Sequence, residues 1–473
     1  MHKTNVFFAN GQCVRGVTKK GKEFYRLDSN ISEDATGMTV KVPSLWISGQ
    51  YILYQYIDSI EKGFYMSPDR INCLAPYFTE TDQPVMKALI GCQDRKIRIV
   101  AETQCVGQLA TNGAVTAMVT DENNRSIIYG TDNGQVAMIQ VNGNQANNFW
   151  TIDTEKGYVN EMIMHDINGD GENELIVARN DGSLEIYSFI NPTQPVMLLK
   201  KSMDESITCV GAGKLIVPEY DDILVSTYSG RVVAFSNYGY SNDSNTSSAL
   251  TAFNGIAGIG KDDKKKVVGI SKTQRITNLQ KEIEALEDKL AKSKSQYSKL
   301  SSEIVAVHCQ FDTKSSFILD SKEAYYRLNV ESDVHLDMIL VRSEISLDLI
   351  DVSGDNNVVV SDIKPDEKKD SSTKFVTTLR FTDNCKRIEV LLRTYEGKYG
   401  LVEAYVLPRL NPKISKVHQF NVKPLSLHER VDEGRANSLF SNRPLSKLLI
   451  SGTFSLSELH SWIGLCVEGI PEK

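Results

Sequence analysis

The sequence predicts a mainly β protein: a β-propeller, then a coiled-coil helix, then an immunoglobulin-like β-sandwich and the beginning of an α/β unit. Three observations support this fold class. A strand–turn–strand unit repeats through the first half of the 473-residue chain, a heptad pattern without Gly or Pro follows, and a series of short alternating strands comes next. At roughly 150 residues per domain, a chain of this length has about three domains.

The propeller prediction depends on a repeated hairpin. An apolar strand, a tight polar turn and a second strand recur at 127–141, 175–189 and 222–236. The turn glycines Gly134, Gly182 and Gly230 are 48 residues apart in both steps, and such turns need the positive φ that glycine provides. Weaker copies lie upstream, so six turn centres fall near residues 11, 50, 94, 134, 182 and 230. A β-rich period of about 40–50 residues is typical of propeller blades, and we assign residues 1–240 to six of them.

A Ser-, Asn-, Gly- and Lys-rich stretch follows, and we predict a flexible linker over residues 241–271. The next segment, residues 272–307, contains no Gly or Pro and has apolar residues at a 3.5-residue period. Its predicted partner interface consists of Ile276, Leu279, Ile283, Leu286, Leu290, Tyr297, Leu300 and Ile304. These residues form a narrow apolar seam on a helix about 50 Å long.

Such a seam stays buried only when a second helix covers it. The covering helix could come from a fold-back of the same chain or from another chain. Tyr297 within the seam, and the polar Ser293 that interrupts it, favour a heterotypic partner over a self-paired zipper.

Short alternating, β-branched segments then run from Tyr325 to Leu407, and they predict a two-sheet sandwich over residues 308–412. The last piece, residues 413–473, opens a different unit. Val417–Val422 and Leu448–Thr453 have the pattern of strands. Ser455 and Glu458 form a capping box for a helix that carries Leu459, Trp462 and Ile463. One or two strands and a helix make a poor core, so we expect the chain to stop inside a domain.

One loop suggests metal chemistry. Asp166, Asn168, Asp170 and Glu174 place oxygen ligands at positions one, three, five and nine, with Gly171 after the third. This spacing can wrap a hard cation such as calcium, although the EF-hand pattern fails because position twelve is Val177. The alternative is a polar turn whose side chains cap their own backbone. A bound calcium ion would brace the loop rather than catalyse a reaction.

Composition excludes several function classes. The net charge of −7 gives no sign of general nucleic-acid binding. The eight cysteines form no CxxC pair, as expected for a reducing compartment. The sequence has no signal-peptide core and no apolar run long enough to span a membrane, so we expect a cytoplasmic protein. Serine-hydrolase, Walker, dinucleotide-binding and zinc-protease motifs are absent, and we expect neither an enzyme nor a cofactor other than the possible calcium ion.

Several strings give the chain a family resemblance. It resembles the Bardet–Biedl syndrome seven family, subunits of the ciliary trafficking complex called the BBSome. The matching strings spread over nearly the whole chain: GVTKKGKEF (16–24), GCQDRKIRIV (91–100), DGSLEIYSF (181–189), VSTYSG (225–230), LLRTYEGKYGLVEAYVLPRLNPK (391–413), VKPLSLHER (422–430) and SLSELHSWIGLC (455–466).

The resemblance implies a seven-bladed propeller of which the first blade is absent here, a γ-adaptin-ear-like sandwich, and a platform domain that begins at Ile414. It also implies a non-enzymatic subunit of a coat-like adaptor that carries membrane proteins on intraflagellar transport trains and supports cilium biogenesis. The heptad helix would pair with the Bardet–Biedl syndrome two protein. The implied locations are cytoplasm, cilium, ciliary basal body and, peripherally, the ciliary membrane. The alternative is a generic propeller and coiled-coil scaffold, or a vesicle-coat subunit, outside the cilium.

Overall fold

The computed structural model describes residues 5–41, 44–78, 86–101, 103–121, 126–152, 157–189, 194–215, 221–236, 272–300, 310–320, 323–353, 358–363, 373–428, 430–431, 446–468 and 470. The predicted linker, residues 241–271, lies outside them.

The described residues up to 236 form six antiparallel sheets, numbered here as blades 1 to 6 in chain order. Blades 1 to 3 contain β1 (Asn5–Asn10), β2 (Cys13–Thr18), β3 (Glu23–Asp28); β4 (Gly37–Lys41), β5 (Ser44–Ser48), β6 (Ile52–Ile57), β7 (Ile60–Met66); and β8 (Ile71–Phe78), β9 (Met86–Cys92), β10 (Lys96–Ala101), β11 (Gln104–Ala110). Blades 4 to 6 contain β12 (Val115–Asp121), β13 (Ser126–Thr131), β14 (Val136–Asn142), β15 (Gln145–Ile152); β16 (Val159–His165), β17 (Glu174–Arg179), β18 (Ser183–Ser188), β19 (Val196–Ser202); and β20 (Ile207–Gly213), β21 (Asp222–Thr227), β22 (Val232–Phe235).

The six predicted hairpins are confirmed, because each blade contains one of them at the predicted turn. Gly134, Gly182 and Gly230 adopt φ values of +87°, +83° and +80°. Only glycine adopts this left-handed region without a steric penalty. The local turn chemistry therefore fixes the spacing of the later blades.

The blades stack through apolar clusters that join each consecutive pair from blade 1 to blade 6. Within the described residues, none of these clusters joins blade 6 to blade 1. The central strand β17 is accordingly buried along its whole length, whereas Leu224 on β21 is 36% exposed. Within the described residues, blades 2 to 5 thus pack against a neighbouring blade on both faces, and blades 1 and 6 on one face.

The helix α1 (Lys272–Leu300) occupies most of the predicted heptad segment. The rest of that segment, residues 301–307, lies outside the described residues. At 1.5 Å per residue, these 29 residues form a rod of about 43 Å.

The sandwich has two antiparallel sheets, as the sequence predicts. One has the order β23-β24-β29-β26 and the other β27-β28-β25-β30-β31. The strands are β23 (Thr313–Asp320), β24 (Tyr325–Ser332), β25 (Leu336–Ser343), β26 (Asp348–Ser353), β27 (Val358–Ile363), β28 (Phe375–Phe381), β29 (Arg387–Arg393), β30 (Gly400–Pro408) and β31 (Lys416–Val422). Their inward side chains form one apolar core.

The last part of the chain differs in two ways from the prediction. The predicted strand at Val417–Val422 exists, but it pairs with β30 and so belongs to a sandwich sheet. The prediction of a strand at Leu448–Thr453 is wrong. No residue in this stretch is in a strand, and Leu448 and Leu449 are 86% and 91% exposed. Apolar alternation makes a strand only where a ladder partner is available, and this stretch has none among the described residues.

The predicted final helix is confirmed as α2 (Leu456–Cys466), and its capping box forms. The backbone N–H of Glu458 donates to the Ser455 hydroxyl, and the Ser455 N–H donates to the Glu458 carboxylate. At the other end, the Lys423 ammonium donates to the carbonyls of Gly464 and Val467 at 2.7 and 3.1 Å. A cation at a helix C-terminus is favoured by the helix dipole, so Lys423 ties α2 to the end of β31.

Candidate functional site

The predicted partner interface lies on α1. Ile283, Leu286 and Leu290 follow an i, i+3, i+7 spacing and so share one face of the helix. They are 55%, 57% and 57% exposed. The side chains of Ile276, Leu279, Tyr297 and Leu300 are outside the described set, and Ile304 is outside the described residues.

Nothing in the described chain covers this seam. Every described side chain of α1, from Gln280 to Ser295, is exposed. Fully burying one Leu or Ile side chain stabilises a structure by about 1.5–3 kcal/mol, and that gain is not realised while the helix stands alone. The described chain therefore gives no support to a helix folded back on its own domains.

The four predicted metal ligands lie in one hydrogen-bonded acidic loop between β16 and β17. The Asp166 carboxylate accepts backbone N–H groups from Gly169, Asp170 and Gly171 at 2.7, 3.2 and 2.9 Å. The Asn168 amide donates to Asp170 at 2.9 Å and to Glu174 at 2.8 Å. These hydrogen bonds have the pattern of a turn whose side chains cap their own backbone.

Glu174 anchors this loop to the propeller. Its side chain is buried, and its second carboxylate oxygen accepts the Ile167 N–H at 3.0 Å. Burial raises the pKa of the Glu174 carboxyl, against the lowering effect of the Ile167 N–H, and the nearby Asp170 and Asp166 raise it further. Among the described residues, no group of three or more His, Cys, Asp or Glu side chains is placed to hold a metal ion. Calcium binding by the four predicted ligands stays a prediction.

Two further observations concern the cysteines and the helices of the described residues. All seven described cysteines carry free thiols. Of the helices in the described chain, neither is long and apolar enough to cross a membrane.

Comparison with known proteins decides the family. A family model described as the BBS7 beta-propeller matches residues 1–237, and models described as the BBS7 GAE domain and the BBS7 platform domain match residues 291–420 and 428–473. The chain belongs to the BBS7 family. The GAE match covers the ear-like sandwich predicted from the sequence, and the BBS7 platform match covers α2. The domain boundaries drawn from the sequence stay predictions.

Curated relatives of the BBS7 family match the whole chain. The mouse (Mus musculus) protein "BBSome complex member BBS7" is 30% identical over 480 residues, which cover 99% of this chain and 63% of the relative. The Caenorhabditis elegans protein "BBSome complex member bbs-7" is 22% identical over 484 residues, with 100% and 63% coverage. The chain thus spans about five-eighths of the length of these relatives. Among solved structures, the WD40 beta propeller domain of Doa1 covers 50% of this chain and 75% of its own, with 13% identity and a TM-score of 0.40.

Proposed function

We propose that this chain is a non-enzymatic subunit of the BBSome and that α1 pairs with a heptad helix of another subunit. The exposed seam is the observation that carries this proposal, because Ile283, Leu286 and Leu290 are more than half exposed and need a covering helix. Membership of the BBS7 family supports the choice of complex, since both relatives are named as BBSome members.

The expected partner is the sister propeller subunit, the Bardet–Biedl syndrome two protein. The assembled complex would act as a coat-like adaptor that carries membrane proteins through the cilium on intraflagellar transport trains. The subunit would then occur in the cytoplasm, at the ciliary basal body and in the cilium, and would reach the ciliary membrane only peripherally. The free thiols agree with a reducing compartment.

The test is the mass of the purified chain by light scattering, alone and after co-expression with the sister subunit. We expect a one-to-one heterodimer that forms only with the partner. The double variant Leu286→Ser/Leu290→Ser should abolish this heterodimer, because polar residues in the seam remove the buried apolar contact.

A matched control uses the opposite face of the same helix. Glu284→Ser/Lys292→Ser introduces the same two serines, with a similar cost in helix propensity because Glu, Lys and Leu are comparable helix formers, at exposed positions outside the seam. The control variant should still form the heterodimer. A heterodimer that survives the seam substitutions would contradict the seam assignment. A stable homodimer indifferent to the partner would instead favour the generic scaffold.

A further inference from the structure

The propeller and the ear-like sandwich touch through the turn that precedes β20. The backbone N–H of Ser206 donates to one oxygen of the Glu331 carboxylate at 2.7 Å, and the Ser206 hydroxyl donates to the other oxygen. Ser206 is 1% exposed and Glu331 is 5% exposed. Hydrogen bonds to a charged acceptor are stronger than neutral ones, and a carboxylate held by two donors also has a fixed orientation.

The neighbouring residue, Glu205, makes a second contact in the opposite direction. The Lys386 ammonium of the sandwich donates to the Glu205 carboxylate at 2.9 Å. The other Glu205 oxygen accepts the Thr227 hydroxyl at 2.9 Å and the Ser229 N–H at 3.1 Å. Blade 6 therefore positions this carboxylate from within, and the sandwich supplies the cation. Each domain contributes one buried carboxylate to the other.

The residues that make the two contacts are neighbours on the propeller and also on the sandwich. Glu205 and Ser206 are consecutive on the propeller. On the sandwich, Glu331 lies near the end of β24 and Lys386 directly precedes β29, and the Ser332 N–H donates to the Lys386 carbonyl at 2.9 Å. A single contact would allow the two domains to rotate about it in every direction, whereas two neighbouring contacts restrict this rotation to the line that joins them.

We propose that Glu205, Ser206, Glu331 and Lys386 form an intramolecular latch that docks the sandwich on blade 6. The propeller and the sandwich then move as one body, although residues 237–309 separate them along the chain. Because α1 belongs to that interval, the same body holds both ends of the segment that carries the seam. The latch goes beyond the proposed function, since it acts within one chain and needs no partner.

The experiment measures the distance between the two domains in the full chain without a partner. Spin labels carried by unnatural amino acids replace two exposed lysines, Lys62 on β7 and Lys374 beside β28, and pulsed electron paramagnetic resonance gives the distance distribution. The wild-type chain should show one narrow distribution. Glu331→Ala removes both acceptors of Ser206 and leaves only the contact between Glu205 and Lys386, so the distribution should broaden.

Lys386→Met provides a second variant should Glu331→Ala fail to fold. Its side chain is 20% exposed, and methionine keeps most of the apolar stem while removing the charge. Broadening is expected here too, and it should be larger in the double variant.

The matched control is Lys413→Met, which removes a sandwich ammonium from an exposed ion pair with Asp337 at 2.7 Å. This control should keep the narrow distribution. Distributions that stay narrow and unshifted in folded Glu331→Ala and Lys386→Met chains would overturn the latch. Since the partner is absent from these measurements, that result would leave the proposed pairing of α1 unaffected.

Discussion

The side-chain amide of Asn160 donates a hydrogen bond to the backbone carbonyl of Ile207 at 2.6 Å and so joins blade 5 to blade 6. Asn72 and Thr116 make the same bond from their own blades to the next one, at 3.1 and 2.7 Å. All three occupy the irregular position near the start of the first strand of their blade. A residue at a β-bulge leaves the ladder pairing and can aim its side chain elsewhere, and these bulges aim a polar group at the neighbouring blade.

Asn160→Ala should lower the free energy of unfolding by about 1–2 kcal/mol, because the Ile207 carbonyl loses this donor at a buried junction. Urea denaturation of both chains measures the loss. Thr208→Val is the matched control. Thr208 holds the corresponding position in blade 6, but its exposed hydroxyl bonds to Ser226 of its own blade. Equal losses in the two variants would contradict an inter-blade role for Asn160.

The Arg179 side chain, which is only 1% exposed, forms hydrogen bonds to three parts of the propeller. Its guanidinium donates to the buried Glu185 carboxylate at 2.8 Å and to the carbonyls of Gly134 and Gly157, each at 2.8 Å. Burial opposes ionisation of Glu185, but Arg179 and Lys200 more than offset it and lower the pKa of this carboxyl.

Arg179→Met should therefore destabilise the chain by about 3–5 kcal/mol, since it removes the buried cation and leaves the Glu185 carboxylate with only the Tyr187 hydroxyl and the surface ammonium of Lys200. Thermal and urea unfolding measure this loss. As a control, Arg26→Met breaks an exposed pair with Asp28 at 3.5 Å, which should cost less than about 1 kcal/mol. A loss at Arg179 as small as that at Arg26 would contradict the buried network.

Local sequence chemistry predicts much of this fold. The six hairpins follow from turn residues and strand patterns within a few positions of each other, and the capping box at Ser455 and Glu458 spans four residues. The heptad pattern likewise locates α1. Each of these features is decided by neighbours along the chain, so a single sequence carries the whole signal.

Features that depend on residues far apart in the sequence could not be predicted in the same way. The sequence pattern predicts the strand at Val417–Val422 but not its pairing with β30, and it does not predict β23. The apolar stretch at Leu448–Thr453 has a strand pattern but no ladder partner among the described residues. The contact between Glu205 and Lys386 joins residues 181 positions apart. Its members look like ordinary surface charges, so no local pattern marks them.

Because of the Glu205 carboxylate, the free energy of unfolding should depend on pH under acidic conditions. Burial raises its pKa, but hydrogen bonds from Ser229, Lys386 and Thr227 outweigh burial and lower it from 4.5 to about 2. A carboxyl whose pKa is lowered in the folded chain contributes stability that is fully present above about pH 4.5 and is lost as the pH falls towards 2.

Glu205→Gln should therefore be less stable than wild type at pH 6. The difference between the two chains should shrink by about 1.4 kcal/mol for each pH unit below about 4.5. Denaturation at pH 6 and at pH 3.5 measures it, with Glu458→Gln at the exposed helix cap as a control of smaller effect. A difference that stays constant with pH would contradict the lowered pKa of Glu205 in the folded chain.

The acidic loop offers a direct test of calcium binding. Asp166 accepts three backbone N–H groups, so Asp166→Ala should destabilise the propeller by about 1–2 kcal/mol through the turn alone. If the turn caps only itself, this loss is the same in millimolar Ca²⁺ and in EDTA. A melting temperature of the wild-type chain that rises with Ca²⁺, and a variant that does not respond, would establish a metal site that needs Asp166.

Alanine substitutions at the turn glycines Gly182 and Gly230 distinguish the cost of backbone strain from the cost of a steric clash. Both adopt φ near +80°, so alanine is strained at either position. At Gly182, however, an added Cβ would lie 2.4 Å from the Met203 carbonyl oxygen and 2.8 Å from that of Glu205, whereas at Gly230 it would meet nothing within 4 Å. Gly230→Ala should therefore cost about 1–2 kcal/mol, and Gly182→Ala should cost clearly more because backbone atoms must move.

Because one of those atoms belongs to Glu205, Gly182→Ala should also broaden the distance distribution between the propeller and the sandwich, while Gly230→Ala should leave it narrow. Equal costs at the two positions would mean that the chain before β20 shifts freely, which would also contradict its role in fixing the sandwich.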